Sequence, residues 1–413
     1  MKTIRDIPLR KQTVFLRVDF NVPMDENQDI TEDGRIKAAL PTIEYLLEKQ
    51  CMVVLASHLG RPDGKVVEEL RMKPVAQRLS DYLGQEVKYV DDCVGKEAEE
   101  VKAAMKPGDM LLLENLRFYP QEEENDLHFA EKLALGIDVY ITDAFGVVHR
   151  KHASTFALPS LVFDKGIGFL IQEEIEALDR IAKNPEKPLA VVIGGIKISD
   201  KVDVIRNLAP KADVILTGGG VANAFMKAMG MGIGASKVED KKDGEEVDFS
   251  SVALEIWTKF QGEKPQMGMT LPNGDPLPKI VTPLDCIAAS SREEGAETKV
   301  IEIGKDEMPQ DWMFLDIGPK TRELYAQILG HANSIFWNGP LGLFEMDEYA
   351  AGSKAVAEAI ANSKGYAVLG GGDTEVVTEK FGLKGRYSHA STGGGASLTY
   401  LAGNELPGLM ALE

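Results

Sequence analysis

The sequence predicts an α/β fold made of two doubly wound domains, each with a parallel sheet. Short apolar runs alternate with amphipathic helical stretches along the 413 residues. This alternation is typical of strands that helices cover on both faces of a parallel sheet. About ten such runs are present, which is many for one twisted sheet. A single large sheet is the alternative that the pattern leaves open.

The candidate strands are apolar runs that end in turn residues, and the stretches between them repeat apolar residues at helical spacing. The predicted strands are residues 13–18, 52–56, 87–90, 110–113, 139–142, 189–193, 214–217, 279–281, 334–337 and 366–369. The predicted helices are residues 37–50, 74–83, 127–135, 202–208, 321–329 and 353–362. Periodicity gives no strand order, so only the fold class follows.

An amphipathic stretch near the middle of the chain separates the two groups of strands. Residues 169–185 repeat apolar positions at helical spacing, and Pro185 and Pro188 favour an end to the helix. We therefore predict a front domain over residues 1–168, a connecting helix over 169–185 and a back domain from residue 186. One more packing helix within a single sheet is the other interpretation.

Composition limits the class of protein and its partners. The net charge of −19 argues against nucleic acid or an anionic membrane as a partner, so an anionic substrate must meet local basic groups. The first residues are charged, and no run approaches the roughly 20 apolar residues of a membrane span. Three cysteines form no disulfide framework. We expect a cytoplasmic protein.

Polar and basic side chains follow successive strands in the front half. Asp19 and Asn21 follow the first strand, and Arg35 precedes the first helix. The loops after later strands carry His58, Arg61, Arg117 and Arg150. Parallel topology brings such loops to one sheet edge, where guanidinium groups bind phosphate or carboxylate through two hydrogen bonds. Each residue taken singly is also compatible with a solvating or structural role.

Two lysines follow a pair of glycines after the strand at residues 189–193. If a helix starts at this turn, Lys197 and Lys201 lie on one face, one turn apart. Two ammonium groups beside a glycine turn suit a polyphosphate. The sequence thus predicts a phosphate-binding turn here.

Further glycine turns follow strands in the back half, at residues 218–220 and 370–372. Glycine permits close approach of a ligand, and a helix N-terminus favours phosphate. The second turn leads into Asp373, a candidate neighbour of a divalent cation, and Thr374. Both residue types are equally typical of a helix start, and tight packing also uses glycine.

Residues 337–345 follow another strand and combine an apolar shelf with Glu345, a candidate acceptor for ribose hydroxyls. The chain contains no G-x-x-x-x-G-K-[ST] loop, dinucleotide fingerprint, C-x-x-C, H-E-x-x-H or G-x-S-x-G motif. A zinc site is therefore not expected.

These motifs, taken together and in order, resemble those of phosphoglycerate kinases over essentially the whole chain. The matching segments are RVDFNVP (17–23), SHLGRP (57–62), ENLRF (114–118), DAFGVVHRKHAST (143–155), GGIKISDK (194–201), LDIGPKT (315–321), WNGPLGLFE (337–345), GGGDT (370–374) and STGGGASL (391–398). The resemblance implies two Rossmann-like domains joined by a hinge helix. It also implies that residues 398–413 return to the front domain, which leaves residues 186–397 as the back domain.

The resemblance implies reversible phosphoryl transfer between 1,3-bisphosphoglycerate and ADP, which gives 3-phosphoglycerate and MgATP. By position, the implied phosphoglycerate site comprises Asp19, Asn21, Arg35, His58, Arg61, Arg117 and Arg150. The implied nucleotide site comprises Lys197, Lys201, Gly219, Gly220, Asn338, Pro340, Glu345, Gly371, Gly372, Asp373 and Thr374. We expect small-molecule partners only, with no nucleic acid or membrane, and a monomer.

In the ATP-consuming direction the nucleophile is a carboxylate with a pKa near ~4, which is already ionised at neutral pH and needs no general base. Catalysis then depends on positioning and on neutralising charge. We predict that Arg35, Lys197 and Lys201 contact the transferring phosphoryl group. Mg²⁺ bridges the nucleotide phosphates with Asp373 as its protein ligand, and hinge closure brings the substrates together and expels water.

The chain departs from the common pattern at Ile196, where alanine is usual, so nucleotide affinity is the property most open to change. A kinase of another small carboxylic acid is one alternative, although such acids lack a second phosphate for the arginines. A catalytically silent nucleotide-binding relative is another. The retained charged residues argue against it, and these are Arg35, Lys197, Lys201 and Asp373.

Overall fold

The computed structural model describes residues 1–242, 244–260, 262–263 and 267–413. The chain divides into two compact units. The first comprises Met1–Glu176 with Glu405–Glu413, and the second comprises Ala177–Asn404. Each unit has its own parallel sheet, as the sequence predicts.

Six parallel strands form the centre of the first unit. They are β1 (Thr13–Arg17), β2 (Met52–Ala56), β3 (Val87–Tyr89), β4 (Met110–Leu112), β5 (Val139–Thr142) and β6 (Asp164–Ile167). Their order is β3-β4-β2-β1-β5-β6. The helices are α1 (Gly34–Glu48), α2 (Lys73–Leu83), α3 (Lys96–Ala103), α4 (Pro120–Glu123), α5 (Leu127–Ala134) and α6 (Leu158–Leu161).

The register of the central strands decides which loops share an edge. Arg17, the last residue of β1, pairs with Ala56 of β2 and with Thr142 of β5. The C-terminal ends of the three strands are therefore level. The side chains that follow each strand emerge at one edge of the sheet, as the parallel topology requires.

Helix α7 (Phe169–Ala182) follows the last strand of the first unit. Its residues to Glu176 belong to the first unit, and those from Ala177 belong to the second. The carboxylate of Asp143 accepts a hydrogen bond from Ile171 N at 3.1 Å near the start of the helix. Asp143 is fully buried, and burial raises its pKa to about 7.

The second unit contains a parallel sheet, an antiparallel sheet and a short hairpin. Its strands are β7 (Leu189–Ile193), β8 (Val214–Thr217), β9 (Lys241–Lys242), β10 (Glu245–Glu246), β11 (Ile280–Val281), β12 (Asp285–Ala289), β13 (Thr298–Glu302), β14 (Met313–Ile317), β15 (Ser334–Asn338), β16 (Tyr366–Gly370) and β17 (His389–Ala390). The parallel order is β11-β8-β7-β15-β16-β17, and the antiparallel order is β13-β12-β14.

Helices cover the second unit's parallel sheet, and one of them ends later than the domain prediction assumes. They are α8 (Val202–Leu208), α9 (Gly219–Ala228), α10 (Phe249–Phe260), α11 (Pro319–Gly330), α12 (Ala351–Asn362), α13 (Gly372–Lys380) and α14 (Gly395–Leu401). Asn207 Nδ2 donates to Leu401 O at 2.7 Å and so ties α14 to this unit. The chain returns to the first unit at Glu405 rather than at residue 398, and ends in α15 (Pro407–Met410).

All the predicted strands and helices are present, with ends that differ by a few residues. The antiparallel sheet was not predicted, although β12 and β14 are short apolar runs. Most of β13 is exposed. Among the described residues, no helix combines the length and the apolar character needed to span a membrane.

Candidate functional site

The loop after β1 meets the loop after β2 at the edge of the first sheet. Arg35 Nη1 donates to both carboxylate oxygens of Asp19, at 3.1 and 3.0 Å. Asn21 Oδ1 accepts a hydrogen bond from Gly60 N at 2.8 Å. These contacts fix the position of Arg35 and of the loop that carries His58.

Arg117 enters the same region from the loop after β4. It is buried, and its Nη1 donates to Gly60 O at 2.9 Å while its Nε lies 3.3 Å from Glu123 Oε1. Among the described residues, Nε has no hydrogen-bond acceptor. Arg150 is partly buried, and its Nε donates to His149 Nε2 at 3.2 Å. Two guanidinium groups thus retain donors for a ligand.

Electrostatics shows which of these groups are close together. Burial lowers the pKa of His58 well below its usual value, and the charges of Arg17, Arg117 and Arg35 lower it further. Burial likewise lowers the pKa of His152 to about 3, helped by Arg17, Arg117 and Arg150. Both histidines are therefore neutral inside a cluster of arginines, which we call the basic cluster.

The basic cluster unites four of the predicted residues, Arg35, His58, Arg117 and Arg150. Arg61 is exposed and makes no hydrogen bond or ion pair within the part of the chain that the structure describes. Its position on the loop after β2 agrees with the prediction, but no contact links it to the cluster. Whether it meets a ligand stays a prediction.

A buried polar network lies under the basic cluster, and sequence reasoning missed it. Arg17 is almost fully buried, and its Nε donates to Ser154 Oγ at 2.9 Å. Ser154 in turn donates through Oγ and N to Glu122, at 2.6 and 2.9 Å. The Glu122 carboxylate lies 4.0 Å from His152 Nδ1. In the sequence, only the HAST segment (152–155) pointed to this network. It places several polar residues in a loop between a strand and a helix, where few polar residues are required.

Arg17 also sets the protonation of His58. Its Nη2 lies 3.4 Å from His58 Nδ1. Because a guanidinium only donates, Nδ1 of the neutral ring is the acceptor and Nε2 carries the proton. His58 therefore has a hydrogen-bond donor at Nε2 and is not available as a base.

In the second unit, glycine turns from three strands pack directly on each other. Gly195 N donates to Pro340 O at 2.7 Å, and Gly195 O accepts from Gly220 N at 2.9 Å. Gly219 N donates to Leu341 O at 3.1 Å. A Cβ on Gly220 would lie 2.3 Å from Ile196 O. The amides of Gly219 and Gly220 are thus already bonded, and these glycines serve close backbone packing.

The expected helix at the first glycine turn does not start there. Helix α8 begins at Val202, and Lys201 is its N-cap. The prediction that a helix places Lys197 and Lys201 on one face is wrong, because Gly195 adopts a positive φ of 88° and a series of turns follows it. The turns still bring the lysines together, since Lys201 Nζ donates to Lys197 O at 3.2 Å.

The two lysines differ in environment. Lys197 is exposed, whereas Lys201 is 9% exposed. The Lys201 ammonium lies beside the Gly195 turn, since a Cβ added to Gly195 would lie 3.5 Å from Nζ. Burial lowers the pKa of Lys201, and the nearby carboxylates of Asp200, Asp373 and Glu239 oppose this effect. Lys201 is therefore a preorganised cation beside Asp373.

Some polar groups at the turn after β16 hold the strands together, and others are exposed. Asn338 Nδ2 donates to Gly370 O at 2.7 Å. Thr374 Oγ1 accepts from Gly339 N and donates to Gly370 O, both at 2.8 Å. Both side chains are buried and hold β15 against β16. Gly371, with φ 89°, caps α13 and leaves Gly372 and Asp373 exposed in its first turn.

A cleft opens beside these turns within the second unit. Of the predicted nucleotide residues, it is lined by Gly219, Gly220, Pro340, Glu345 and Asp373. Its floor is apolar and includes Met226, Phe314, Leu341 and Leu343. Two cationic residues in its lining, Lys237 and Arg292, were not predicted from sequence. Such a cleft suits a flat apolar group joined to an anionic chain.

The arrangement favours direct transfer of a group between two charged ligands over catalysis through a covalent intermediate with the protein. One unit concentrates guanidinium groups and neutral histidines, and the other places ammonium groups beside a cleft. Within the described ranges, no group of three His, Cys, Asp or Glu residues has the geometry to hold a metal ion. Catalysis by positioning and charge neutralisation is the chemistry that these groups can supply.

Comparisons with known proteins identify similar chains. The family model "Phosphoglycerate kinase" matches residues 4–404. A phosphoglycerate kinase from Moorella thermoacetica is 46% identical over 410 residues, which is 99% of this chain and 98% of that protein. The structure of the Coxiella burnetii enzyme superposes with a TM-score of 0.85 at 36% identity, covering 100% of this chain and 98% of that chain. The Pyrococcus horikoshii enzyme gives 0.82 at 36% identity, with the same coverage.

Proposed function

The chain belongs to the phosphoglycerate kinase family, and from this premise we propose how its two units divide the reaction. The activity is phosphoryl transfer with a carboxyl group as acceptor, which links 1,3-bisphosphoglycerate and ADP to 3-phosphoglycerate and ATP. We propose that the basic cluster holds the phosphoglycerate and that the cleft of the second unit holds the nucleotide.

The observation that carries the proposal is the basic cluster itself. An acidic protein with a net charge of −19 buries Arg17 and Arg117 and keeps His58 neutral between them. Arg117 keeps an unused donor in this cluster, and the neighbouring histidines are neutral, so an anionic substrate is the group that the cluster is suited to bind. Arg117 and Arg150, with His58 Nε2, donate to the phosphate that does not react, together with Arg61.

Arg35 and the lysines have a different role in the proposal. Asp19 aligns Arg35 through two hydrogen bonds, so its remaining donors can meet the transferring phosphoryl group. Lys201 is held near Lys197 and contributes positive charge where the phosphoryl group moves. The carboxylate acceptor is ionised at neutral pH, so no residue has to act as a base. Charge and alignment supply the acceleration.

Mg²⁺ fits the groups present in the cleft. Asp373 is exposed and close enough to Lys201 to influence its pKa, and its carboxylate has no hydrogen bond or ion pair within the described residues. Mg²⁺ is usually bound by one or two carboxylates together with phosphate oxygens and water. We propose that Asp373 holds the ion, which when bound neutralises phosphate charge.

Three further properties belong to the proposal. Transfer needs the acceptor oxygen in line with the phosphorus, so the units close on each other when both substrates are bound, with α7 as the hinge. Small-angle scattering with each ligand and with both tests closure, and an unchanged radius of gyration in the ternary complex argues against it.

The protein in this proposal is a cytoplasmic monomer. The cytoplasmic location is in keeping with the three cysteines, which are all free.

A coupled assay with MgATP and three acceptors tests the substrate. We expect turnover with 3-phosphoglycerate and little with acetate or carbamate, because neither has a second anionic group for the basic cluster. Comparable turnover of acetate or carbamate supports a kinase of another acid. Nucleotide binding without turnover of any acceptor supports a silent relative. Either result overturns the proposed substrate.

A further inference from the structure

The turn that carries Lys201 is held by a residue from a distant segment. Glu239 lies in the connection between α9 and β9, 40 residues along the chain from Ser199. Ser199 N donates to Glu239 Oε2 at 2.9 Å, and Ser199 Oγ donates to Glu239 Oε1 at 2.7 Å. Both carboxylate oxygens are therefore engaged by one residue of the turn. We propose that Glu239 is a positioning residue for phosphoryl transfer, which fixes Ser199 and thereby the ammonium group of Lys201.

The Lys201 side chain is bonded to the turn that Glu239 holds. Helix α8 begins only after Lys201, so residues 196–201 form a series of turns rather than a helix. Lys201 Nζ donates to the carbonyl oxygen of Lys197, which precedes Ser199 by two residues, at 3.2 Å. A shift of Ser199 would therefore move the carbonyl group that orients the Lys201 ammonium.

The segment that leads to Glu239 is itself anchored to the body of the second unit. Ser236 Oγ accepts a hydrogen bond from Phe314 N at 2.8 Å. Lys237 O accepts one from Asn223 Nδ2 at 3.1 Å. Because these bonds fix the segment, Glu239 offers the turn a fixed point of attachment. Lys237 also lines the cleft, so the same short segment reaches both the cleft and the turn that carries the lysines.

The contact between Glu239 and Ser199 is partly protected from water. Ser199 is buried, and Glu239 is half-buried. Hydrogen bonds to an ionised carboxylate are stronger than those between neutral groups, and burial limits competition from water. Glu239 also lies near enough to Lys201 to oppose the effect of burial on the pKa of that lysine. Its carboxylate therefore orients the ammonium group and favours its charged form.

Substitution of Glu239 in the full-length enzyme tests the inference, which rests on the proposed function because it assumes that Lys201 acts on the transferring phosphoryl group. Glu239→Gln keeps the size of the side chain but replaces one of the two acceptor oxygens by a donor. With MgATP and 3-phosphoglycerate, we expect kcat to fall about tenfold and the KM for 3-phosphoglycerate to stay unchanged, because a misplaced Lys201 weakens the transition state rather than binding of the acid.

Two further variants bracket this effect. Ser199→Ala removes one of the two hydrogen bonds and leaves the charge of Glu239 in place, so kcat should fall by a smaller factor of about three. Asp248→Asn is the matched control, because Asp248 accepts from Ser250 N at 3.0 Å and from Ser251 Oγ at 2.5 Å, which is again a backbone amide and a serine hydroxyl. Asp248 directly precedes α10 and is not part of the cleft lining, so kcat should stay unchanged.

A double variant separates positioning of Lys201 from a general effect on folding. If Glu239 acts through Lys201, adding Glu239→Gln to Lys201→Ala should lower kcat no further. The same tenfold loss in the Lys201→Ala enzyme overturns the inference, and so does an equal loss in Asp248→Asn.

A wild-type kcat in Glu239→Gln also overturns the inference. If Glu239→Gln does not fold, a wild-type kcat in Ser199→Ala overturns it instead. These results leave the proposed function intact as long as the wild-type enzyme turns over 3-phosphoglycerate with MgATP. Failure of the wild-type enzyme in that assay contradicts the proposed function itself.

Discussion

The two candidate sites are built from different kinds of groups. The basic cluster is made of side chains, with buried arginines and neutral histidines supported by the Arg17–Ser154–Glu122 network. The second unit relies on backbone turns that pack on each other through glycines, with the side chains of Lys201 and Asp373 added at their edge. A side-chain site responds to charge and pH, whereas a backbone site responds to volume. Substitutions can test this difference.

The largest effect is expected at Lys201. Lys201→Ala should lower kcat by about 10² to 10³ and change the KM values much less, because a buried, aligned cation acts mainly on the transition state. Lys197→Ala should cost clearly less, since Lys197 is exposed. Steady-state kinetics with both substrates measures the difference. If both variants instead lost kcat/KM and substrate affinity by the same factor, Lys201 would contribute only to ground-state binding.

Volume is the vulnerable property of the glycine turns. Gly220→Ala places a Cβ 2.3 Å from Ile196 O, and backbone cannot move away as a side chain can. We expect a loss of about 3 kcal/mol in the unfolding free energy of the second unit. All three tryptophans lie in that unit, so their fluorescence follows its unfolding in urea.

Gly330→Ala is the control for this effect. Nothing lies within 4 Å of the added Cβ, and Gly330 ends helix α11 without a positive φ. It should leave the unfolding midpoint unchanged or raise it slightly, because alanine favours helix more than glycine does. If Gly220→Ala were as stable as Gly330→Ala, the turns would not be packed as described.

Acid should weaken the first unit through its histidines. His152 has a pKa of about 3 in the folded state and an ordinary value near 6.5 when unfolded. The unfolded chain therefore binds the extra proton between these values, and stability is lost as pH falls from about 6.5 toward 3. Each such histidine contributes a slope of up to about 1.4 kcal/mol per pH unit within that window.

Removing the histidine should remove part of that slope. His152→Gln should show a shallower fall in unfolding free energy between pH 6 and pH 4 than the wild type. Amide hydrogen exchange of β1 and β5 measures this, because the first unit has no tryptophan. An identical pH dependence in the two proteins would mean that the pKa of His152 is not lowered in the folded state.

The smallest effect is expected at Ile196. Its side chain is 66% exposed and lines the cleft, so Ile196→Ala creates no cavity and should change the unfolding free energy by less than about 0.5 kcal/mol. The KM for ATP should move less than about threefold, while kcat is retained. A large rise in KM would show that this departure from the family pattern serves nucleotide binding.

Sequence predicted the parallel sheets and the clustering of strand-end residues, because both follow from apolar runs and parallel topology. It misjudged the helix at Lys197, where Gly195 turns the chain before α8 begins. It missed β12 to β14, of which β13 is mostly exposed, and with them Arg292. The link from Arg17 to Glu122 was also beyond reach, because it joins distant parts of the chain through Ser154.

The division of the two substrates between the two sites is most directly tested by a crystal structure with 3-phosphoglycerate and MgADP. We expect the phosphate of the acid within hydrogen-bond distance of Arg117, Arg150 and His58 Nε2, and the nucleotide in the cleft with its phosphates toward Lys201. A phosphoglycerate bound away from those arginines, or a nucleotide outside the cleft, would contradict it.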